Sequence, residues 1–190
     1  MSFKTIQYKK QNRIGIITLN RPDVLNAFDE QLVWDLQEAT KDLKEDEDIR
    51  VGVITGAGKG FTAGADLSER ESSWTSVEDS LLRGFLPTFE NIMKMPKPVI
   101  GSINGPAAGI GAALAMACDF LIMADNAFFS LAYVKIGLTP DGGVTKLLAE
   151  VLPKQVLSEM SLLGDRIFAD QLNKFGMINV LAKKSLVKNK

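Results

Sequence analysis

Lys97-Pro98-Val99-Ile100-Gly101-Ser102-Ile103-Asn104-Gly105-Pro106-Ala107-Ala108-Gly109-Ile110-Gly111-Ala112-Ala113-Leu114-Ala115-Met116-Ala117-Cys118 is the stretch that decides the fold. Residues 98–103 form a short apolar run, which predicts a buried strand. Asn104-Gly105-Pro106 ends it with turn residues. Residues 107–118 are small and apolar throughout, which predicts a helix whose start lies close to something. Gly109-Ile110-Gly111 opens that helix. Glycine there admits close approach of backbone to a ligand, and the unpaired amides of a helix start carry partial positive charge. This suits an oxygen that becomes negative during a reaction. Tight helix packing explains the same glycines equally well.

Strands and helices alternate on both sides of this stretch, which predicts an α/β fold. Upstream, residues 3–8 and 13–19 read as paired strands joined by a polar turn at 9–12. Asp29 is placed to cap a helix over 30–43, with Leu32, Leu36, Ala39 and Leu43 on one face. Residues 50–55 read as a buried strand and 78–93 as a helix. The polar stretch 66–76, which carries Trp74, reads as a mobile wall of a binding site. Downstream, residues 119–123, 127–130 and 177–182 read as strands. Helices are expected over 144–152, from Pro153 to near Gly164, and over 169–175 with Gly176 just beyond its end. One core over residues 1–182 and a basic tail over 183–190 are expected.

The 190 residues include no histidine and one cysteine, Cys118. A Ser-His-Asp or Cys-His nucleophile lacks its base, and a His-ligated metal site lacks its ligand. One cysteine makes neither an intrachain disulfide nor a CxxC motif. Acid–base work falls to carboxylates, lysine, tyrosine or backbone groups. The formal net charge of −1 argues against a nucleic-acid partner. No signal-like apolar segment opens the chain, and residues 107–118 are too short to span a bilayer. A cytoplasmic, reducing setting with no membrane partner is the expectation.

Two further glycine-rich places need sorting. Gly56-x-Gly58-x-Gly60 follows a strand, but its spacing is not the GxGxxG of a dinucleotide loop, and Lys59 is followed by Gly60 rather than Ser or Thr of a P-loop. A flexible connection is the plainer reading. Phe61-Thr62-Ala63-Gly64-Ala65-Asp66-Leu67 is more specific. A small-residue loop beyond a buried strand can present a second backbone N–H, and two such amides form an oxyanion hole. Asp66 reads as a residue that satisfies loop amides.

Taken together, Asn20-Arg21-Pro22-x-x-x-Asn26-Ala27, Gly60-Phe61-x-Ala63-Gly64-Ala65-Asp66-Leu67, the opening stretch and Cys118-Asp119 resemble, in order, the motifs of the crotonase, or enoyl-CoA hydratase/isomerase, superfamily. The resemblance implies a spiral of β-β-α units, assembled as a homotrimer or dimer of trimers. It implies an acyl-CoA thioester as ligand, coenzyme A being part of the substrate, with no metal and no separate cofactor. The enolate oxygen would be held by the amides of Ala65 and Ile110. Val24, Leu25 and Ala27 would line the coenzyme A end, and Ala63, Gly64, Asp66, Leu67, Gly109 and Tyr133 would contact substrate. The family continues past residue 182 with a helical segment that this sequence does not show, so a C-terminally shortened form is expected.

The resemblance also bears on the catalytic acids. The two glutamates of family hydratases fall at Ala113 and Tyr133, neither of which is acidic. The segment Ile136-Gly137-Leu138-Thr139-Pro140-Asp141-Gly142-Gly143 is similar to the one where family isomerases place their acid, and its Pro-Asp-Gly-Gly form is nearest to epoxyphenylacetyl-CoA isomerase-like members. Asp141 sits at the matching position. By chemistry alone, an aspartate there caps the helix that follows. The implied activity is an enoyl-CoA isomerase of fatty acid metabolism. Hydratase (lyase) or thioester hydrolase activity in the same site, and a non-catalytic acyl-CoA-binding role, are the alternatives.

Overall fold

The computed structural model describes residues 2–69 and 71–187. Strands Ile6–Gln11 (β1) and Ile14–Leu19 (β2) form an antiparallel hairpin. Its turn is only Asn12-Arg13, with φ of 51° and 64°. Such left-handed turn residues match the twist of the flanking strands, so the connection is tighter than the expected turn at 9–12. β1 also starts later than expected. The Asp35 carboxylate takes the amides of Lys4 and Thr5 at 2.9 and 2.8 Å, which draws that segment off the sheet.

From β2 the sheet continues in parallel through Val51–Gly56 (β3), Val99–Ile103 (β4), Phe120–Ala124 (β6) and Val180–Ala182 (β9), in the order β1-β2-β3-β4-β6-β9. Ile17 pairs with Ile54, Ile54 with Gly101, and Gly101 with Leu121. Parallel strands covered on both faces read as continuous Val/Ile runs, which is why β3 and β4 were visible in the sequence. Glu30–Glu45 (α1) packs against this sheet through Leu32, Leu36, Ala39 and Leu43, all at or below 2% exposure. Its first turn is capped by Asp29, whose Oδ1 accepts from the Leu32 amide at 2.8 Å.

A second sheet has the order β5-β7-β8, from Ala107–Ala108 (β5), Phe128–Ser130 (β7) and Arg166–Phe168 (β8). Here the expectation of a helix over 107–118 is corrected. Ala107 and Ala108 are held as a strand against Phe129 and Ser130. Gly109 then turns the chain with φ 54° and ψ −130°, and the helix Ile110–Met116 (α4) begins only afterwards. β8 was not expected, because Arg166-Ile167-Phe168 is too short to show a period.

The helix expected over 78–93 is three pieces: Val77–Asp79 (α2), a π-helical segment Ser80–Phe85, and Leu86–Met93 (α3). The remaining helices are Val144–Ala149 (α5), Lys154–Leu163 (α6) and Ala169–Lys174 (α7). α5 stops before the expected residue 152. The last strand starts at Val180 rather than 177, because the Asn179 carboxamide takes the Leu121 amide at 2.8 Å in place of a ladder bond. Of the tail, Lys184–Leu186 forms a 3-10 turn and Val187 is buried; residues 188–190 lie outside the described residues. Among the described residues no helix is long and apolar enough to cross a membrane.

Candidate active site

Two loops, one after β3 and one after β4, are stitched together at their backbones. Thr62 bridges Ala107: the Thr62 amide donates to the Pro106 carbonyl at 3.0 Å, and the Ala108 amide to the Thr62 carbonyl at 3.0 Å. On its other side the first loop bridges the entry to α1. The Phe28 amide donates to Gly64 O at 2.8 Å and the Asp66 amide to Phe28 O at 2.9 Å. In this parallel pattern alternate residues face away from the partner. The amide between them, that of Ala65, donates to no protein acceptor among the described residues.

Asn26 fixes the outer shape of the loop. Its side chain is fully buried and donates to the carbonyls of Ala57, Gly60 and Phe61 at 3.0, 2.9 and 3.1 Å. Thr62 adds a hydroxyl that donates to Asn26 O at 2.7 Å and accepts from the Gly64 amide at 3.1 Å. Gly64 has φ 91°, and a Cβ there would sit 2.8 Å from the Ala108 carbonyl oxygen. Only glycine therefore lets the two loops come this close. Arg21 pairs with Asp66 at 3.0 Å and with Asp29 at 3.1 Å. Hydrogen bonds from Ser68, together with Arg21, hold the Asp66 carboxyl below its ordinary value.

The second amide belongs to Ile110. Gly109, held by its amide to Ser130 O at 3.0 Å, aims the next peptide as the first of α4. As the first residue of the helix, Ile110 has no intrahelical acceptor. α4 is only seven residues long, so the long-helix dipole expected from 107–118 shrinks, and the directed N–H itself is what the site offers.

Ala65 and Ile110 both border one cavity of about 300 Å³. It also gathers Ala63, Gly64, Leu67, Gly109, Tyr133 and Asp141. Apart from these its wall is mostly apolar, with Leu81 and Phe85 from the π-helical segment and Ile136 and Leu138 from the approach to Asp141. Those four were missed in the sequence, since their apolar side chains look like ordinary core. Leu81 and Phe85 also wall a neighbouring apolar cavity of about 280 Å³ under α3 and α5.

Asp141 does not cap α5. The residue before α5 is Gly143, with no side-chain cap, and only the Asp141 carbonyl takes the Val144 amide. The carboxylate instead accepts from the Tyr133 hydroxyl at 2.8 Å. Burial pushes the Asp141 carboxyl above its ordinary value, and the Tyr133 bond partly opposes this. Burial beside that carboxylate drives the Tyr133 phenol far upward, so it remains a donor.

Other predicted residues lie elsewhere. Val24 and Leu25 are part of an exposed turn, Ala27 is buried at the entry to α1, and Asp66 faces Arg21; none borders the cavity. Trp74 packs at a tilt against Trp34 with centroids 5.0 Å apart and does not border the cavity, so it lies outside the expected acyl wall. Ala113 is fully buried in the core. Burial lifts the Cys118 thiol to about 12, so it supplies no thiolate at neutral pH.

Residues 9–190 match the model of the family described as enoyl-CoA hydratase/isomerase. The chain is similar to 1,2-epoxyphenylacetyl-CoA isomerase of Escherichia coli (strain K12), 41% identical over 166 residues, covering 85% of this chain and 63% of that protein. It is similar to the mitochondrial enoyl-CoA hydratase of Pongo abelii, 37% identical over 170 residues, covering 90% of this chain and 58% of that protein. The chain thus spans less than two thirds of the length of either curated relative. Among solved structures, an enoyl-CoA hydratase from Mycobacterium avium subsp. paratuberculosis K-10 superposes with a TM-score of 0.87 at 30% identity, covering 97% of this chain and 70% of that one.

Proposed function

The chain belongs to the enoyl-CoA hydratase/isomerase family, and we propose that within it the protein moves the double bond of an enoyl-CoA. The observation that carries this reading is the sharing of one cavity by Ala65, Ile110 and Asp141, while the positions matched to hydratase glutamates hold Ala113 and Tyr133. Coenzyme A enters as part of the substrate. The thioester carbonyl accepts from both amides, which favour the oxygen more as it gains charge. Asp141 takes a proton from C2 of a 3-enoyl group, leaving a dienolate whose oxygen faces the amides. The protonated Asp141 then returns that proton to C4, which leaves the double bond at C2–C3 conjugated with the thioester. One carboxylate serves as base and then acid, so no histidine is needed. A partly buried carboxyl with a raised pKa suits both steps.

Water addition in the same cavity is a second reading, supported by the hydratase names of several relatives. A spectrophotometric panel of 2-enoyl- and 3-enoyl-CoA esters separates the two. Double-bond migration is expected to dominate. Asp141→Asn is expected to lower it by about 10³-fold or more, the upper range of general acid–base effects, while CoA-ester binding measured by calorimetry persists. Full migration activity in that variant would remove Asp141 from the mechanism. For assembly, the family resemblance supports a homotrimer or a dimer of trimers.

A further inference from the structure

We propose that Tyr133 is a positioning residue for Asp141: it fixes the carboxylate at the cavity and sets the pH at which that carboxylate takes up a proton. The inference deepens the reading above and rests on it for the kinetic part of its test.

Tyr133 holds the loop it shares with Asp141 at two points. Its carbonyl accepts from the Leu138 amide at 2.9 Å, and its hydroxyl donates to Asp141 Oδ1 at 2.8 Å. Residues 133–141 are therefore closed on themselves by one tyrosine, from backbone at one end and side chain at the other. The ring is anchored, since the residue is only 6% exposed. Its tip lies beside the peptide that leads into Ile110: a Cβ built on Gly109 would be 3.7 Å from Tyr133 Cζ and 3.8 Å from its hydroxyl oxygen. Hence one rigid aromatic ring spans from the oxyanion-binding loop to the carboxylate. A phenol has two soft torsions, so the hydrogen bond is held at low entropic cost.

The bond has a sign. A donor to a carboxylate favours the ionised form. Burial acts the other way; among the described residues the groups that oppose it are the Tyr133 hydroxyl and the backbone of Asp141 itself, with no charged neighbour contributing. Lys135, on the same 3-10 turn, is turned away to Asp165 at 3.0 Å. Without the hydroxyl, burial is opposed only by the backbone of Asp141 itself, and Asp141 holds its proton to higher pH.

The test is Tyr133→Phe, which keeps the ring and removes the hydroxyl. In the unliganded protein, carboxyl carbon NMR of labelled aspartate follows Asp141, assigned by its absence in Asp141→Asn. The Asp141 midpoint is expected to move up in Tyr133→Phe, and an unchanged or lower midpoint overturns the proposal whatever the enzyme's reaction proves to be. With 3-enoyl-CoA, kcat is expected to fall with KM little changed, and the acid limb of kcat/KM to move to higher pH. A variant that loses only thermal stability, with limb and midpoint in place, reduces Tyr133 to a packing residue and overturns the proposal. If the wild type shows no double-bond migration, the proposed reaction fails while the NMR midpoint still decides the role of Tyr133.

Discussion

Asp141 is ionised at neutral pH only at a cost, because its surroundings withhold the water that a carboxylate prefers. The cost has a definite pH window. A carboxyl whose value is higher folded than unfolded binds protons more tightly in the folded state. It therefore favours folding at acid pH, and that support is lost as pH rises through the folded value. Asp141→Asn, neutral at every pH, is expected to melt at a higher temperature than the wild type at pH 7. The difference should shrink as pH falls to the ordinary carboxylate range. Differential scanning calorimetry from pH 4 to pH 7 measures it. An Asn variant that is less stable at pH 7 would mean that the Tyr133 bond outweighs burial. Asp66 has the opposite sign: its lowered value, set by Ser68 and Arg21, supports folding above the ordinary carboxylate range and is lost in acid. One aspartate thus borders a cavity and the other joins an ion pair, and only their surroundings distinguish them.

The elements that matter most are short, and side chains rather than ladders position them. The loop after β3 has no regular structure, yet the Asn26 carboxamide nitrogen holds three of its carbonyls. Asn26→Asp replaces that donor with a carboxylate facing carbonyl oxygens. It is expected to destabilise the fold by about 3 kcal/mol, the scale of buried groups left unpaired, seen as a lower urea midpoint at constant slope. Gly109 is the second fixed point. Its φ of 54° and ψ of −130° suit glycine alone, and Gly109→Ala is expected to cost about 1–3 kcal/mol of backbone strain. The larger effect should be kinetic, because relief of that strain re-aims the Ile110 amide. Catalytic turnover is expected to fall by more than tenfold with the fold retained by circular dichroism. The tightly packed start of α4 and the close approach of backbone proposed for Gly109-Ile110-Gly111 turn out to be one feature: Gly64 and Gly109 let two loops touch, and that contact brings Ala65 and Ile110 to one cavity.

At the scale of the molecule, the side built from α6, β8 and β9 leaves apolar residues in solvent. Leu162 is 71% exposed and Leu163 55%, with Phe168 and Val180 also exposed. Patches of this kind mark interaction surfaces, and the family resemblance implies an oligomer that such a surface would serve. Sedimentation velocity at micromolar concentration is expected to show species larger than a monomer, with Leu162→Glu shifting them toward monomer. A well-behaved wild-type monomer would count against that surface as an interface. By itself the sequence determined the α/β class, the buried strands, the capped α1 and the two small-residue loops after β3 and β4, and it marked Asp141 as a candidate, because each is written in local pattern or in a motif of fixed spacing. The tertiary structure decided what those residues do. It made a strand of Ala107-Ala108, turned Asp141 from helix cap to cavity, gave it Tyr133 as partner and withdrew Asp66, Ala27 and Trp74 from the site. These outcomes depend on which distant groups compete for the same hydrogen bond or the same buried space, and no local window of sequence contains both competitors.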